Sequence, residues 1–294
     1  MLRFAFSAVL ASSLTAAAAL AQPQPSAPPP QVVYIHAGTL LAIPGQAPQN
    51  NMTVVVEGDR IARIEPGFAE PDSDTVRVID LTDGFVMPGL MDAHVHLRYR
   101  SIRSLRNADQ WRGKNYAESA LNALRAARDN LAAGFTTVRD LGSDDQSVFA
   151  VRDDIAAGRV LGPRIIASGT TVSVTAGHGD PLVGNDTPWT PQWGVCDGPD
   201  DCRRATRAAI RAGADVIKMH ATGGFSDNTG LAQHMDPDEM AAVIGTAHQR
   251  GLKVATHAYD PGAIRAALEA GVDSIEHGVL IVDEGIELMK DRGG

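Results

Sequence analysis

Positive charge is scarce in this sequence: 26 Lys and Arg stand against 35 Asp and Glu, a formal net charge of −9, and no basic tract interrupts the balance. That argues against a surface for nucleic acid or anionic lipid and leaves a small-molecule substrate as the expected partner, with a homo-oligomer compatible. Cysteine is nearly absent. Cys196 and Cys202, in WGVCDGPDDCRRA, are the only two, so a four-cysteine metal site is excluded. Gly198 and Pro199 between them favour a turn, and a local disulfide is expected ahead of two free thiols or a metal-binding pair. Runs apolar enough to approach a membrane span are confined to residues 1–21, MLRFAFSAVLASSLTAAAALA. Arg3, an uncharged apolar run and the small-x-small ending Ala19-Leu20-Ala21 make this a signal peptide cleaved before Gln22. A membrane anchor is the competing reading, but Ser, Thr and many Ala weaken the span, and PQPSAPPP follows as an unstructured linker. The expected protein is exported, periplasmic or secreted, with no stable membrane insertion.

With 44% hydrophobic and 21% charged residues, the chain is long and apolar enough for a substantial core. Past the proline-rich linker, residues 22–31, the stretches VVYIHAGTLLAI, MTVVVEGDRIARIEPG and TVRVIDLTDGFVMPG read as strands joined by turns. They form a small N-terminal β module over residues 32–84. From Phe85 the pattern repeats. Six strands are predicted, at Phe85–Leu97, Thr136–Leu141, Arg164–Ser168, Val216–His220, Lys253–Tyr259 and Ser274–His277, alternating with Ala-rich helices, several of which end in Ala-Gly. Glycine just past a helix is a C-terminal cap, and repeated βα units imply an α/β fold with a parallel sheet and helices outside it. An open doubly wound sheet and a closed (β/α)8 barrel of the TIM type both fit. The first βα turn lacks a glycine-rich phosphate fingerprint, and the unusual residues fall near strand C-terminal ends, where barrel active sites are built. The barrel is therefore the predicted fold.

Those unusual residues begin in GLMDAHVHLR. His94 and His96 flank a single valine, so on a strand both imidazoles share one face. Two neutral imidazoles on one face can bind one ion from the same side, although two histidines satisfied within a core would look the same. Lys218, in DVIKMHATGG, sits inside an apolar strand where burial disfavours the ammonium form, so it needs a partner or a chemical change. His257 in VATHAYD and His277 in SIEHG close the next two strands. Each alone reads as structural; recurring at successive strand ends, they read as a site.

VMPGLMDAHVHL, GADVIKMHATGG, ATHAYDPGAI and GVDSIEHG together resemble the metal-dependent amidohydrolase superfamily, in its imidazolonepropionase-like and Xaa-Pro dipeptidase-like branch. The resemblance runs from Val32 to the last residue and is most specific at His94-Val95-His96 and from Ser274 to Gly278. It implies a small N-terminal β-sandwich beside the barrel. It also implies two divalent metal ions, zinc first, with manganese, cobalt and iron compatible. His94 and His96 would bind the more buried ion, Lys218 would be carbamylated by CO2 and bridge both, and His257 and His277 would bind the second. Two such ions, about 3.5–4 Å apart, lower the pKa of a bridging water and polarise a scissile carbonyl. His178, in VTAGHGD, lies in a Gly-His-Gly loop like one in this branch and could meet a substrate carboxylate or carbonyl. Tyr259 could donate its hydroxyl to a developing oxyanion. His220 shares a strand face with Lys218 without an assigned role, and Arg98 reads as a surface arginine ahead of a contact to an anionic substrate.

The expected function is metal-dependent hydrolysis of an amide C–N bond in a small substrate, such as an N-acyl amino acid or an Xaa-Pro-like dipeptide. Lactam or phosphotriester hydrolysis on the same site is the alternative within enzymes. Barrels of this type typically need about 250 residues, more than residues 85–294 supply. A barrel truncated after about six βα units is therefore expected, lacking the strand-eight aspartate that the resemblance implies as last ligand and general base. Such a chain alone would be poorly soluble and inactive, a fragment or a metal-binding pseudoenzyme.

Overall fold

A computed structural model describes residues 31–98, 116–180, 194–225 and 229–292. The expected signal peptide, residues 1–21, and the linker through residue 30 lie outside the described residues. The chain divides into two compact units, Met1–Pro88 and Gly89–Gly294.

In the first unit, β1 (Val32–Leu40), β2 (Gln49–Glu57), β3 (Arg60–Pro66) and β4 (Arg77–Val86) form one four-stranded sheet in the order β3-β2-β1-β4. β1 pairs antiparallel with β2 and parallel with β4. Side chains alternate between the faces with a period of two. Ala37 and Leu40 cluster with Met52 and Val54, whereas Tyr34 and its cross-strand partner Val55 are buried on the opposite face. Both faces of β2 are thus covered, which its run of three valines suits.

The second unit alternates strand and helix six times: β5 (Leu90–Val95), α1 (Tyr116–Ala132), β6 (Phe135–Asp140), α2 (Asp145–Ala156), β7 (Arg164–Ala167), α3 (Pro199–Ala212), β8 (Val216–His220), α4 (Pro237–His248), β9 (Lys253–Ala258), α5 (Pro261–Ala270), β10 (Ser274–His277) and α6 (Asp283–Asp291). The expected strand Phe85–Leu97 is two. Phe85 and Val86 pair with Thr39 and Leu40 at the end of β4, Met87-Pro88-Gly89 breaks the run because proline has no N–H to donate, and His96 stands just past β5. As expected, α3 and α5 end on glycines in the left-handed region, Gly213 (φ 108°) and Gly271 (φ 102°).

β5-β6-β7 and β8-β9-β10 are parallel sheets. A parallel bridge from Val172 to Met219 and a hydrogen bond from the Asp215 amide to the Ala167 carbonyl (2.9 Å) join them in chain order. A doubly wound sheet would reverse its order at a switch point. This one does not, and it curls far enough for His94 of β5 to meet Glu276 of β10 at 2.8 Å. Outward-facing Val138, Ile165, Ile217, Met219 and Val254 pack with Ala127, Val148, Ala205, Val243 and Ile264 of the helices. Each such aliphatic side chain larger than alanine contributes roughly 1.5–3 kcal/mol by leaving water. Inward, Leu141, Val216 and Ala255 make a small apolar cluster. Alternation then places Lys218 and His220 on the same face of β8 as Val216, toward the carboxyl end.

The Cys196–Cys202 disulfide is formed, with both cysteines buried. No helix among the described residues is long and apolar enough to cross a membrane.

Candidate active site

The carboxyl ends of β5, β8, β9 and β10, with the loop after β7, bring six histidines together. Ring centroids run His96 to His94 (5.2 Å), His94 to His277 (5.0 Å), His277 to His257 (4.5 Å), His257 to His178 (4.3 Å) and His178 to His220 (5.2 Å). Tyr259 stacks on His277 at 5.2 Å and meets His257 edge-on at 4.9 Å. Lys218 is 1% exposed and lies close enough to His96, His220, His257 and His277 to act on each through its charge. All the histidines picked out from the sequence, with Lys218 and Tyr259, therefore share one cluster. Arg98 is half-buried and acts on both His96 and Asp140.

Two of the imidazoles are oriented from behind. His94 Nδ1 lies 2.8 Å from Glu276 Oε2, and His96 Nδ1 lies 3.0 Å from the Gly142 carbonyl oxygen. Nδ1–H donation to a carboxylate and a carbonyl fixes the tautomer that leaves Nε2 with its lone pair, the state a metal ligand requires. Glu276 is itself held: its Oε1 accepts from Arg139 Nη2 (2.7 Å) and Ser274 Oγ (2.8 Å). Arg139 Nε donates to the Ala93 carbonyl (2.7 Å), tying β5, β6 and β10 together. Asp140, fully buried at the end of β6, accepts from the Leu97 amide (2.6 Å), Ser143 Oγ (2.8 Å) and the Gly142 amide (3.2 Å), pinning the chain just beyond His96. Glu276, Arg139 and Asp140 are not among the residues singled out from the sequence, because β6 (FTTVRD) and β10 (SIEH) are too polar for a charged residue to stand out as Lys218 does in β8.

Burial sets the protonation states. It pushes the Lys218 ammonium down to about 7, against the opposing pull of Glu276 and with help from Arg139. Desolvation, with Lys218 and His94 adding, takes His96 to about 3; desolvation with His178, Lys218 and His277 takes His257 to about 2. His277 falls to about 4, and His220 lies well below its ordinary value, both from burial first and Lys218 second. These imidazoles are neutral at pH 7. Burial alone would raise the Glu276 carboxyl, but hydrogen bonds from His94 and Ser274 and the charges of Arg139 and Lys218 bring it to about 2. The Tyr259 hydroxyl is raised by burial and stays protonated, a donor. His277 adopts φ +70°, a left-handed conformation unusual for a residue with a Cβ and the kind of strain that collects at functional sites.

Neutral imidazoles, a near-neutral lysine and a carboxylate in one place suit a borderline divalent cation. His178, His220 and His257 each offer one ligand atom within 4.8 Å of the others. His220 Nδ1 is buried with no hydrogen-bond partner among the described residues. A cavity of about 460 Å³ opens elsewhere, lined by Tyr116, Asp145, Phe149, Thr170 and Arg211 among others, and none of the six histidines borders it.

A model of a family described as the amidohydrolase family matches residues 85–293. Ochratoxinase of Aspergillus niger is 31% identical over 288 residues, covering 90% of this chain and 58% of that protein. Imidazolonepropionase of Anaeromyxobacter sp. (strain K) is 28% identical over 269 residues, covering 81% of this chain and 60% of that protein. The crystal structure of a Xaa-Pro dipeptidase with methionine bound in its active site superposes with a TM-score of 0.81 at 35% identity, covering 90% of this chain and 65% of that one. The chain spans less than two thirds of the length of each of these relatives.

Proposed function

The chain belongs to the amidohydrolase family, and from that premise we propose that the whole protein is a metal-dependent hydrolase cleaving an amide C–N bond in a small substrate, such as an N-acyl amino acid or an Xaa-Pro-like dipeptide. The observation that carries this is the convergence of strand-end histidines, of which His96, His220, His257 and His277 are kept neutral by burial, around a lysine held near 7. His94 and His96, oriented by Glu276 and Gly142, hold one ion. Lys218, an uncharged amine above pH 7, would add CO2 at its Nζ with release of one proton, giving a carbamate that would supply oxygen donors, and His257 and His277 would hold the second ion. Zinc suits the donors best. When bound, the ions supply Lewis acidity to the scissile carbonyl and lower the pKa of the attacking water. Tyr259 donates its hydroxyl to the carbonyl oxygen as negative charge develops there, and His178 contacts the substrate's carboxylate or carbonyl. The fold reading extends likewise to an eight-unit (β/α)8 barrel in the whole protein, with β1–β4 one layer of a β-sandwich. The disulfide supports a place outside the cytoplasm.

Opening of a cyclic amide is a second reading, favoured by the similarity to imidazolonepropionase. Full-length protein assayed against N-acyl amino acids, Xaa-Pro dipeptides, lactams and phosphotriesters separates the readings. Turnover of the linear amides is the expected outcome; phosphotriester cleavage alone would displace it.

A further inference from the structure

The chain leaving β8 is pinned on its way to Phe225. Thr222 Oγ1 accepts from the Tyr259 amide at 3.2 Å, the Gly223 carbonyl oxygen lies 3.0 Å from His257 Nε2, and the Gly224 amide donates to Thr229 Oγ1 at 3.0 Å. Gly223 also donates its amide to the Ala232 carbonyl at 3.1 Å. Neither glycine leaves space for a side chain. A Cβ on Gly223 would lie 2.3 Å from the Gly230 carbonyl oxygen, and one on Gly224 would lie 2.4 Å from the His178 ring. Phe225 is the next residue, and it places a phenyl ring just past these contacts.

That ring lies 4.8 Å from the Tyr259 ring at an interplanar angle of 71°, the edge-to-face arrangement that aromatic pairs favour. Tyr259 in turn touches His257 and His277, so Phe225 stands one side chain away from the groups assigned to the reaction. Tyr259 is only 7% exposed, whereas Phe225 is 68% exposed, more than any other phenylalanine among the described residues. A lone apolar side chain on an open surface is ordinary. Beside the reacting groups it is surface that a bound substrate covers. Water leaving the ring favours an apolar occupant, and a carboxylate set there would give up hydration against the negative face of a ring.

We propose that Phe225 is a specificity-determining residue: its ring packs on a bulky apolar or aromatic group that the substrate carries next to the scissile amide, so that such amides are cleaved ahead of those with a small or acidic side chain. This rests on the amide-hydrolase reading above and names a substrate class within it.

The test uses the metal-loaded full-length protein and two matched series: N-acetylated phenylalanine, alanine and glutamate, and Xaa-Pro dipeptides that begin with the same three residues. In at least one series the parent should favour the phenylalanine member at least about tenfold in kcat/KM, the discrimination that apolar contacts supply. Phe225→Ala should bring that ratio to within about twofold, and Phe225→Tyr should keep it. General damage to the fold lowers all members of a series together and leaves the ratio where it was. Equilibrium binding of the same six compounds, followed by calorimetry, gives a readout that does not need turnover. If none is hydrolysed but phenylalanine compounds bind more tightly and Phe225→Ala removes that preference, the hydrolase reading fails and the contact stands. A parent with no phenylalanine preference in turnover or binding, or a preference that survives in Phe225→Ala, would overturn the proposal.

Discussion

Lys218 shows how position dictates chemistry at the scale of one residue. Its ammonium form is disfavoured down to about 7 because the side chain is almost wholly out of water. The reactive free amine therefore dominates above pH 7 and is protonated below it. Bicarbonate-dependent zinc uptake by metal-free full-length protein should rise from pH 6 to pH 8 with a midpoint near 7, followed as bound zinc against time. Lys218→Ala should abolish the bicarbonate effect and be partly rescued by short carboxylic acids; full activity without rescue would remove the carbamate from the account. Glu276 works in the opposite direction. Its carboxyl falls from an ordinary 4.5 to about 2 in the fold. A group whose folded pKa is depressed stabilises the fold above its unfolded pKa, so this contribution is complete above 4.5 and is lost as pH falls through about 2. The shift corresponds to roughly 3 kcal/mol at neutral pH. Urea unfolding of metal-free protein should show Glu276→Gln destabilised at pH 7 and closer to the parent at pH 3.

At the scale of elements, the disulfide and the loop after β7 form one structure. Ser173 donates its amide to Gly194 and accepts from the Cys196 amide (3.0 and 2.8 Å), and Thr175 donates through N and Oγ1 to the two oxygens of Asp197. Cys202, on the first turn of α3, anchors that segment to a helix. His178 follows on the same loop, with the Gly179 amide donating to Ser173 Oγ at 3.2 Å. A disulfide closing so short a loop contributes about 2 kcal/mol. The Cys196→Ser, Cys202→Ser double variant should lose about that much stability and exchange the Ser173 and Cys196 amides faster, as read by hydrogen exchange; unchanged exchange would mean the loop is held without it. The strands were legible because their outward positions are apolar and their helices end on glycine. The strand Phe85–Leu97 was misread because an apolar run crosses Met87-Pro88-Gly89 with no polar turn residue. Glu276 was not legible because its partners, His94 and Arg139, are remote in the chain, and only the curl of the sheet brings them together.

For the whole molecule, acidity and the histidine cluster point the same way, to a small substrate handled at one end of a curled parallel sheet. The net charge of −9 gives no field to attract polyanions, and β5, β8, β9 and β10 each bring at least one histidine to that end. The six-unit pattern belongs to a family whose matching relatives are longer than this chain, so activity is properly measured on the full-length protein. The most direct measurement follows hydrolysis of an N-acyl amino acid or Xaa-Pro dipeptide as metal is stripped by chelation and zinc is returned in known amounts. Activity should vanish in the metal-free protein and return in proportion to zinc, saturating at two equivalents; amide hydrolysis that persists undiminished after complete removal of metal would contradict the account.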